Sequence, residues 1–166
     1  MIKVSLNYWE CFTGGSVALN RKLESRFKNL KNSTFGKHSR DEWKNDIEGA
    51  LCEMAFCKAF GMYWDGSVNT FKNPDVPDTP IQIRGTEYQT GKLIIRENDP
   101  DDDLYILVVG SIPNYKIIGG MYGHQGKVDE FIDNPNNQGS CWMIPQTRVF
   151  PIENILIEKK ASEMWV

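Results

Sequence analysis

The segment over residues 104–109, which has the sequence LYILVV, is the feature that most limits the folds open to this chain. Its residues are nearly all apolar, without the alternation of polar and apolar side chains that a strand with one solvated face shows. Such a run is typical of a strand that is covered on both faces, as in α/β proteins. The segment therefore predicts an α/β fold with a central sheet.

Shorter β-like runs surround this segment along the chain. They cover residues 81–83, 92–96, 116–119 and 142–144. Gly91 is typical of a hairpin turn between the first two runs. Residues 73–80 are rich in proline and aspartate, which excludes a helix there. Residues 123–139 are polar and indicate a loop, whereas residues 149–157 indicate a terminal packed segment.

Two helices are predicted ahead of these strands. Apolar residues spaced mostly three or four positions apart indicate a first helix over residues 17–30. A second helix is predicted to begin near Ser39 or Asp41, either of which can cap it, and to run to about Phe60. Gly61 is well placed to end that helix. Together with the strands, this order predicts a mixed central sheet flanked by helices.

The length of the chain, 166 residues, suits one domain, which we expect to span residues 1–166. A hydrophobic fraction of 40% is ordinary for a globular protein and provides enough material for a core. Within the domain we distinguish a helical, basic N-terminal part over residues 1–40, a central part over residues 41–122 and a C-terminal extension over residues 123–166.

The cysteine pattern and the apolar runs limit the classes of protein to which the chain can belong. None of the four cysteines forms a CxxC pair, and with two histidines in the chain a zinc site is disfavoured. The first ten residues hold no long apolar run, so we expect no signal peptide. No stretch approaches the roughly 20 apolar residues of a membrane span. We therefore expect reduced thiols, a cytoplasmic location and no membrane partner.

Positive charge is concentrated near the N-terminus, although the whole chain carries a net charge of −3. Residues 20–44 hold eight lysines and arginines against three acidic residues. This excess indicates a contact with the phosphate backbone of a nucleic acid, and a solvated helix face is the alternative. The cations expected at such a contact are Arg21, Lys22, Arg26, Lys28, Lys31, Lys37 and Arg40.

Glu53 lies in the second predicted helix among small residues. Gly49, Ala50 and Cys57 share its helical stripe. A glycine inside a helix lowers stability by about 1 kcal/mol relative to alanine, which suggests a close approach of the helix to the sheet at Gly49. Glu53 would then lie over the sheet, where a carboxylate needs a cation or a metal ion as its partner.

An acid, an amide and a cation follow Glu53 along the chain. Asp75 comes directly after a proline in the turn-rich segment, and Gln82 and Arg84 lie on the strand that follows. Because residues of a strand alternate between its faces, Ile81 and Ile83 are expected to face the core, and Gln82 and Arg84 the opposite side. We expect Asp75, Gln82 and Arg84 to converge beside the helix that carries Glu53.

This order of residues resembles the PD-(D/E)xK nuclease superfamily. In that superfamily a helix glutamate precedes a hairpin aspartate, and an acid-x-Lys motif follows on the next strand. Glu53 matches the helix glutamate and Asp75 the hairpin aspartate, while Gln82 and Arg84 stand at the acid and lysine positions. The residues before Glu53 are similar to those of a phage-associated group of short nuclease-like proteins. The resemblance covers residues 43–120.

The resemblance implies a restriction-endonuclease-like core over residues 41–122 and metal-dependent hydrolysis of phosphodiester bonds in DNA. Glu53 and Asp75 would bind Mg²⁺ or Mn²⁺, and Gln82 would add a neutral oxygen ligand. The metal ion would lower the pKa of a bound water and stabilise charge on the phosphate. If the protein is encoded by a phage, the reaction would take place in the cytoplasm of a bacterial host.

Two of the four motif positions depart from the superfamily pattern. Gln82 supplies no negative charge, and Arg84 is always protonated, so it can clamp a phosphate but cannot act as a base. Lys92 or Lys58 can replace the missing lysine from another position. A catalytically retired nuclease fold is the alternative, acting as a nucleic-acid- or protein-binding module or as a structural protein of a phage. A protein partner for targeting fits either function, and the oligomeric state stays open.

Several of these residues also have a structural interpretation. Glu53 can pair with Arg84 as a buried ion pair, and Asp78 competes with Asp75 as a ligand. The other residues for which a structural explanation is favoured are Glu48 as a solvated helix residue, His124 as a loop residue, and Tyr63 and Trp64 as core.

Overall fold

The computed structural model of the protein describes residues 1–29, 42–68, 73–133 and 141–155. The helices in these ranges are α1 (Tyr8–Phe27), α2 (Glu42–Phe60) and the short α3 (Gly123–Gly126), with a 3₁₀ turn over Asp129–Phe131. The strands in chain order are β1 (Ile2–Ser5), β2 (Ile81–Thr86), β3 (Leu93–Arg96), β4 (Leu104–Ser111), β5 (Asn114–Tyr122), β6 (Ile132–Asp133), β7 (Cys141–Ile144) and β8 (Phe150–Pro151).

The larger sheet is mixed and is organised around β4. Its strand order is β1-β5-β4-β2, and β8 also pairs with β5. Strand β4 runs parallel to β2 and antiparallel to β5, and every residue of β4 before Ser111 is buried. The predicted strand that is covered on both faces is therefore confirmed, as is a mixed sheet flanked by helices.

Alternate side chains of β4 point into two separate cores. Leu104, Ile106 and Val108 pack with residues of α2 in one core. Tyr105, Leu107 and Val109 pack in the other core with residues of β3 and β7. Helix α2, with α1 packed against it, thus covers one face of the larger sheet, and the smaller sheet, with the order β3-β7-β6, covers the other.

Helix α1 begins at Tyr8, well before the predicted start at Val17. The Asn7 side chain accepts a hydrogen bond from the backbone N–H of Glu10, and the Glu10 carboxylate accepts one from the backbone N–H of Asn7. This is a capping box, which satisfies two backbone donors that a helix start leaves unpaired. The Asn-x-x-Glu spacing was the signal in the sequence for the earlier start.

The end of α2 is where the sequence predicts it. The helix ends at Phe60, and Gly61 follows with φ +62°, a left-handed conformation that favours glycine. The two predicted capping residues of this helix, Ser39 and Asp41, lie outside the described residues.

The predicted hairpin at Gly91 is wrong, although the chain does turn there. The Gly91 backbone N–H donates to the carbonyl oxygen of Tyr88 across 2.8 Å. The turn leads from one sheet into the other: β2 pairs with β4, and β3 pairs with β7. Leu93 and Ile95 are fully buried in the core between the sheets, which explains why β3 does not fold back onto β2.

The predicted C-terminal extension is built into both sheets. Strand β7 pairs with β3, and β8 pairs with β5. The expected loop over residues 123–139 contains α3, the 3₁₀ turn and β6 in its described part. Val149 and Ile152 are buried, which confirms the packed segment as far as residue 155.

The close approach of α2 to the sheet is made at Gly85 of β2 and not at Gly49. A Cβ atom added at Gly85 would lie 2.6 Å from the Sγ atom of Cys52, whereas one added at Gly49 would have no neighbour within 4 Å. Gly49→Ala is expected to raise the free energy of unfolding by about 0.5–1 kcal/mol, because Gly49 stands in a helix.

Gly85→Ala is expected to lower the free energy of unfolding by about 1–3 kcal/mol, because the added methyl group overlaps Cys52. Urea unfolding of both variants beside the wild-type protein checks the pair. Equal effects of the two substitutions would contradict the close contact at Gly85.

All four cysteines are free thiols, and three of them are buried. Burial, with a smaller effect of nearby Glu53, raises the pKa of the Cys57 thiol to about 12. In the described part of the chain, neither long helix is sufficiently apolar over its length to span a bilayer.

Candidate functional site

Glu53 lies on α2 with only 8% of its surface exposed, and an arginine of α1 neutralises it. Arg21 donates from Nη1 to Oε1 and from Nη2 to Oε2 of Glu53, each across 2.8 Å. Trp64 donates from Nε1 to Oε2 across 3.2 Å. The predicted buried ion pair of Glu53 is present, but its cation is Arg21 and not Arg84.

Arg21 is itself fixed by a further contact. Its Nε atom donates to the carbonyl oxygen of Ser67 across 2.7 Å. A bidentate arginine–carboxylate pair of this kind is stronger than a single neutral hydrogen bond and also fixes the orientation of both groups. All three nitrogen atoms of the Arg21 guanidinium group thus donate to acceptors, which lie on α2 and in the segment that follows it.

Asp75 lies along the open edge of the larger sheet, where β2 is the last strand. Its backbone N–H donates to the carbonyl oxygen of Ile81 across 3.1 Å, and its Oδ2 accepts from the backbone N–H of Ile83 across 2.6 Å. The carboxylate therefore satisfies a backbone donor that the edge of the sheet would otherwise expose.

The Asp75 carboxyl group is also close enough to Glu53 to feel its charge. Burial raises the pKa of Asp75 to about 6, and the negative charge of Glu53 adds to this effect. The hydrogen bond from Ile83 and the charges of Arg84 and Arg21 act in the opposite direction. Asp78, the competing ligand, is exposed in the same turn, three residues after Asp75, with φ 59°. The structure thus groups Asp75, and not Asp78, with Glu53.

Gln82 and Arg84 do not converge with Glu53. The predicted alternation along β2 is confirmed, since Ile81 and Ile83 lie in the core beside α2. Because that core is on the helix side, Gln82 and Arg84 point to the other face of the sheet. Sequence alternation shows which side chains share a face, but it does not show which of the two faces the helix covers.

On that other face, both side chains pair with the acidic loop over residues 97–103, which joins β3 to β4. Gln82 donates from Nε2 to Oδ2 of Asp103, and Arg84 donates from Nη2 to Oδ2 of Asp99, each across 3.0 Å. The Arg84 guanidinium also lies 5.0 Å from the centre of the Tyr105 ring. These contacts hold the loop against the sheet. Gln82 and Arg84, which were predicted to act on phosphate, therefore stabilise the fold here.

The donor atoms do not fit a Mg²⁺ or Mn²⁺ ion in this arrangement. Both carboxylate oxygens of Glu53 accept from a guanidinium group, and one oxygen of Asp75 accepts from a backbone N–H. The Gln82 amide is on the opposite face of the sheet. Across the described ranges, no three side chains of histidine, cysteine, aspartate or glutamate come together as a set of ligands. Glu53, Asp75 and Gln82 in this arrangement therefore do not form a ligand set for a metal ion.

The two lysines that could replace the missing motif lysine are not beside Glu53 and Asp75, which we call the acid pair. Lys58 donates from Nζ to Oε2 of Glu10 across 2.7 Å and to the carbonyl oxygen of Ser5 across 2.9 Å. Lys92 is exposed just before β3, which belongs to the smaller sheet. Lys58 instead ties the end of α2 to the start of α1.

The fold places the cations of the predicted nucleic-acid contact in different environments. Arg21 and Lys22 point inward, and Lys22, which is 4% exposed, pairs with Glu42 across 2.9 Å and with Asp46 across 3.1 Å. Arg26 is exposed, lies over the Trp43 ring and pairs with Glu42 across 3.7 Å, and Lys28 is exposed and pairs with Glu24. Lys31, Lys37 and Arg40 lie outside the described residues. Two of the predicted cations thus stabilise the fold.

Four further residues can be compared with their structural interpretation. Glu48, expected to be solvated, accepts from the buried Tyr115 hydroxyl across 2.7 Å. His124 lies near the acidic loop, with Nδ1 3.0 Å from the carbonyl oxygen of Asp101. Tyr63 is exposed, whereas Trp64 packs partly against the core while it bonds Glu53.

Arg21 is the site residue whose contribution sequence reasoning missed. A buried carboxylate requires a cation, and Arg21 stands on the same side of α1 as the buried Gly14, Ala18 and Ser25. This stripe of small and charged residues was visible in the sequence. No family model matches this chain, and the search of curated proteins and the search of solved structures each found no match to it.

Proposed function

We propose that this protein is a non-catalytic nucleic-acid-binding module, built on a framework that resembles the PD-(D/E)xK nucleases. The observation that carries the proposal is the bidentate pair of Arg21 and Glu53. A guanidinium group in this position offsets the charge of the helix acid, as a metal ion would. It has no open coordination position and cannot lower the pKa of a water molecule, so binding without hydrolysis fits the site better than catalysis does.

The charge around the end of α1 supports nucleic acid as the ligand. Arg26 and Lys28 are exposed there, and Trp43 lies beside Arg26. The sequence that continues from Lys28 adds Lys31, Lys37 and Arg40 before the next acidic residue, Asp41. Exposed cations that follow one another along a chain suit a phosphate backbone, and an aromatic ring among them suits a base.

The Arg26→Glu, Lys28→Glu variant is expected to bind a fluorescent DNA duplex or single strand at least about tenfold more weakly than the wild-type protein at moderate salt. Its affinity should also depend less steeply on salt, by roughly one unit of slope for each lost phosphate contact. Fluorescence anisotropy in EDTA over a series of salt concentrations measures both quantities.

The matched control is the Lys3→Glu, Lys92→Glu variant, which makes the same change in net charge at two exposed lysines outside this region. Its affinity is expected to stay close to the wild-type value. Equal losses in the two variants would point to net charge alone, and an absence of binding by the wild-type protein at low salt would overturn the proposal.

Metal-dependent hydrolysis of DNA is the second candidate, and the proximity of Glu53 and Asp75 favours it. The charge of Glu53 adds to the rise in the pKa of Asp75, which supports a pair of nearby carboxyl groups of the kind that a metal-dependent nuclease uses. For this function the guanidinium group of Arg21 would have to leave the acid pair.

Nicking of supercoiled plasmid in Mg²⁺ or Mn²⁺ separates the two candidates. We expect no cleavage by the wild-type protein. Cleavage that EDTA, Glu53→Ala and Asp75→Ala each abolish would establish the nuclease and refute the non-catalytic module. A rise in melting temperature with Mn²⁺ in Arg21→Ala, but not in Arg21→Ala with Glu53→Ala, would show independently that the acids can hold a cation.

A further inference from the structure

Helix α1 carries its large apolar side chains on the outside. The residues that it buries are Gly14, Ala18, Lys22 and Ser25, which face α2. Its exposed face holds large apolar residues, namely Tyr8, Trp9, Phe12, Leu19, Leu23 and Phe27. Trp9 is 70% exposed and Phe27 is 86% exposed. This distribution is the reverse of an ordinary surface helix, which turns its apolar stripe to the core.

The exposed face is also free of charge over most of its length. Between Glu10 and Arg21 the helix contains no ionisable residue except Cys11, and the small exposed residues among the apolar ones are Thr13, Ser16 and Asn20. An uncharged apolar face offers nothing to a phosphate group or to an anionic lipid headgroup. It fits an apolar protein surface instead, because a contiguous exposed patch of this kind marks a site of association.

The exposed positions have a symmetry that suits a second copy of the same helix. Tyr8, Phe12, Ser16, Leu19, Leu23 and Phe27 are spaced by 4, 4, 3, 4 and 4 positions, which is the same in both directions. In an antiparallel pair related by a two-fold axis between Ser16 and Leu19, Tyr8 would meet Phe27 and Phe12 would meet Leu23. Each Ser16 would meet Leu19, so a small side chain faces a branched one. Such a face is complementary to itself, as a two-fold interface requires.

The exposed face of α1 is also large enough for an interface between two protein chains. Its four aromatic side chains each offer on the order of 150–250 Å² when fully covered, and the 20 residues of the helix extend about 30 Å. These values bring the face close to the roughly 800 Å² that each partner of a standard interface buries.

Gly15 supports the same interpretation. A Cβ atom at this position would have no neighbour within 4 Å, so packing inside the protomer does not explain the glycine. Gly15 is half-buried at the margin of the exposed face, and Ser16, which follows it, lies on that face. Small residues at the crossing point allow two helix backbones to approach each other closely.

We propose that this protein forms a two-fold dimer in which the exposed faces of two α1 helices pack antiparallel. The proposed dimer does not depend on nucleic-acid binding, because most of the face lies opposite the buried side of α1. The last residue of the face, Phe27, stands between the exposed cations Arg26 and Lys28. The occupant of the face is a second copy of the chain.

Sedimentation equilibrium of the full chain from low to high micromolar concentration tests the dimer. The wild-type protein is expected to reach twice the 19.0 kDa of one chain. Phe12→Lys alone and Leu23→Glu alone are each expected to sediment as monomers, because each places a charge against an apolar residue twice in the dimer. An equimolar mixture of the two variants is expected to regain the dimer, since Lys at one position would meet Glu at the other.

The matched controls are Tyr88→Lys and Tyr63→Glu, which make comparable changes at exposed aromatic residues outside α1, and both should remain dimeric. Circular dichroism and melting temperature confirm that the monomeric variants are folded. A wild-type protein that stays monomeric at high micromolar concentration would overturn the proposal, as would a dimer that neither α1 substitution weakens. A mixture that stays monomeric would refute the antiparallel register.

Discussion

Arg21→Ala is expected to lower the free energy of unfolding by about 3–5 kcal/mol, because it leaves the buried Glu53 carboxylate without its cation. Truncation of one partner of a buried ion pair destabilises the fold mainly because the remaining charge is neither hydrated nor paired. The Trp64 indole can offer only one hydrogen bond to that carboxylate. Urea unfolding at neutral pH measures the change.

An exposed ion pair of the same geometry shows whether the effect of Arg21→Ala comes from burial of Glu53 or from loss of the pair itself. Arg148 and Glu130 form the same bidentate arrangement across 2.6 and 3.0 Å, but each side chain is more than half exposed. Arg148→Ala is therefore expected to lower the free energy of unfolding by less than about 1 kcal/mol. If Arg21→Ala had an effect as small as this, the Glu53 carboxylate would have to be solvated in the folded protein.

The double variant Arg21→Met, Glu53→Leu adds a second discriminating result. It removes both charges together and keeps much of the volume, so it is expected to recover most of the stability that Arg21→Ala loses. A double variant as unstable as Arg21→Ala would mean that the pair is favourable in itself, beyond the avoidance of an isolated buried charge.

The parts of this fold that local patterns determine could be predicted from the sequence. Residues 104–109 gave the central strand because a strand covered on both faces has no room for polar side chains. Gly61 marked the end of α2 because few other residues adopt its positive φ readily. The alternation of Ile81 and Ile83 on β2 was also correct, since it depends only on the geometry of a strand.

The parts that depend on distant partners could not be predicted in this way. Arg21 and Glu53 are 32 positions apart, and no local pattern states which cation will meet a buried acid. The residues of the turn at Gly91 are compatible with a next strand that pairs with the previous one and also with a next strand that enters another sheet, as β3 does. The side of β2 that faces α2 is likewise decided by tertiary packing, and this choice separated Gln82 and Arg84 from the acid pair.

The pattern of α1 was misleading for a different reason. Its apolar periodicity correctly indicated a helix, but a helix normally turns such a stripe to its own core. Here the stripe is exposed, and small and charged residues make the internal contacts. A sequence method that equates apolar with buried will therefore place Arg21 and Lys22 on the surface, as the predicted nucleic-acid contact did.

The Asp75 carboxyl group is expected to make the folded protein less stable as the pH rises from about 4 to about 6. Its pKa in the folded protein is raised from 3.8 to about 6, so between these values the folded state keeps a proton that the unfolded state has released. The bound proton therefore stabilises the folded state at low pH. This stabilisation is lost as the pH rises from about 4 to about 6 and stays lost at higher pH. A shift of this size corresponds to about 3 kcal/mol.

Asp75→Asn isolates this contribution, because an asparagine oxygen can still accept from the Ile83 backbone N–H but carries no charge. The variant is expected to be up to about 3 kcal/mol more stable than the wild-type protein at pH 8 and to match it near pH 4. Urea unfolding over this pH range measures the difference. Asp78→Asn, at the exposed acid in the same turn, should change stability by less than about 0.5 kcal/mol at any pH. If Asp75→Asn were instead destabilising at pH 8, the ionised carboxylate would be held favourably by Arg21 and Arg84, and the repulsion from Glu53 would be the weaker effect.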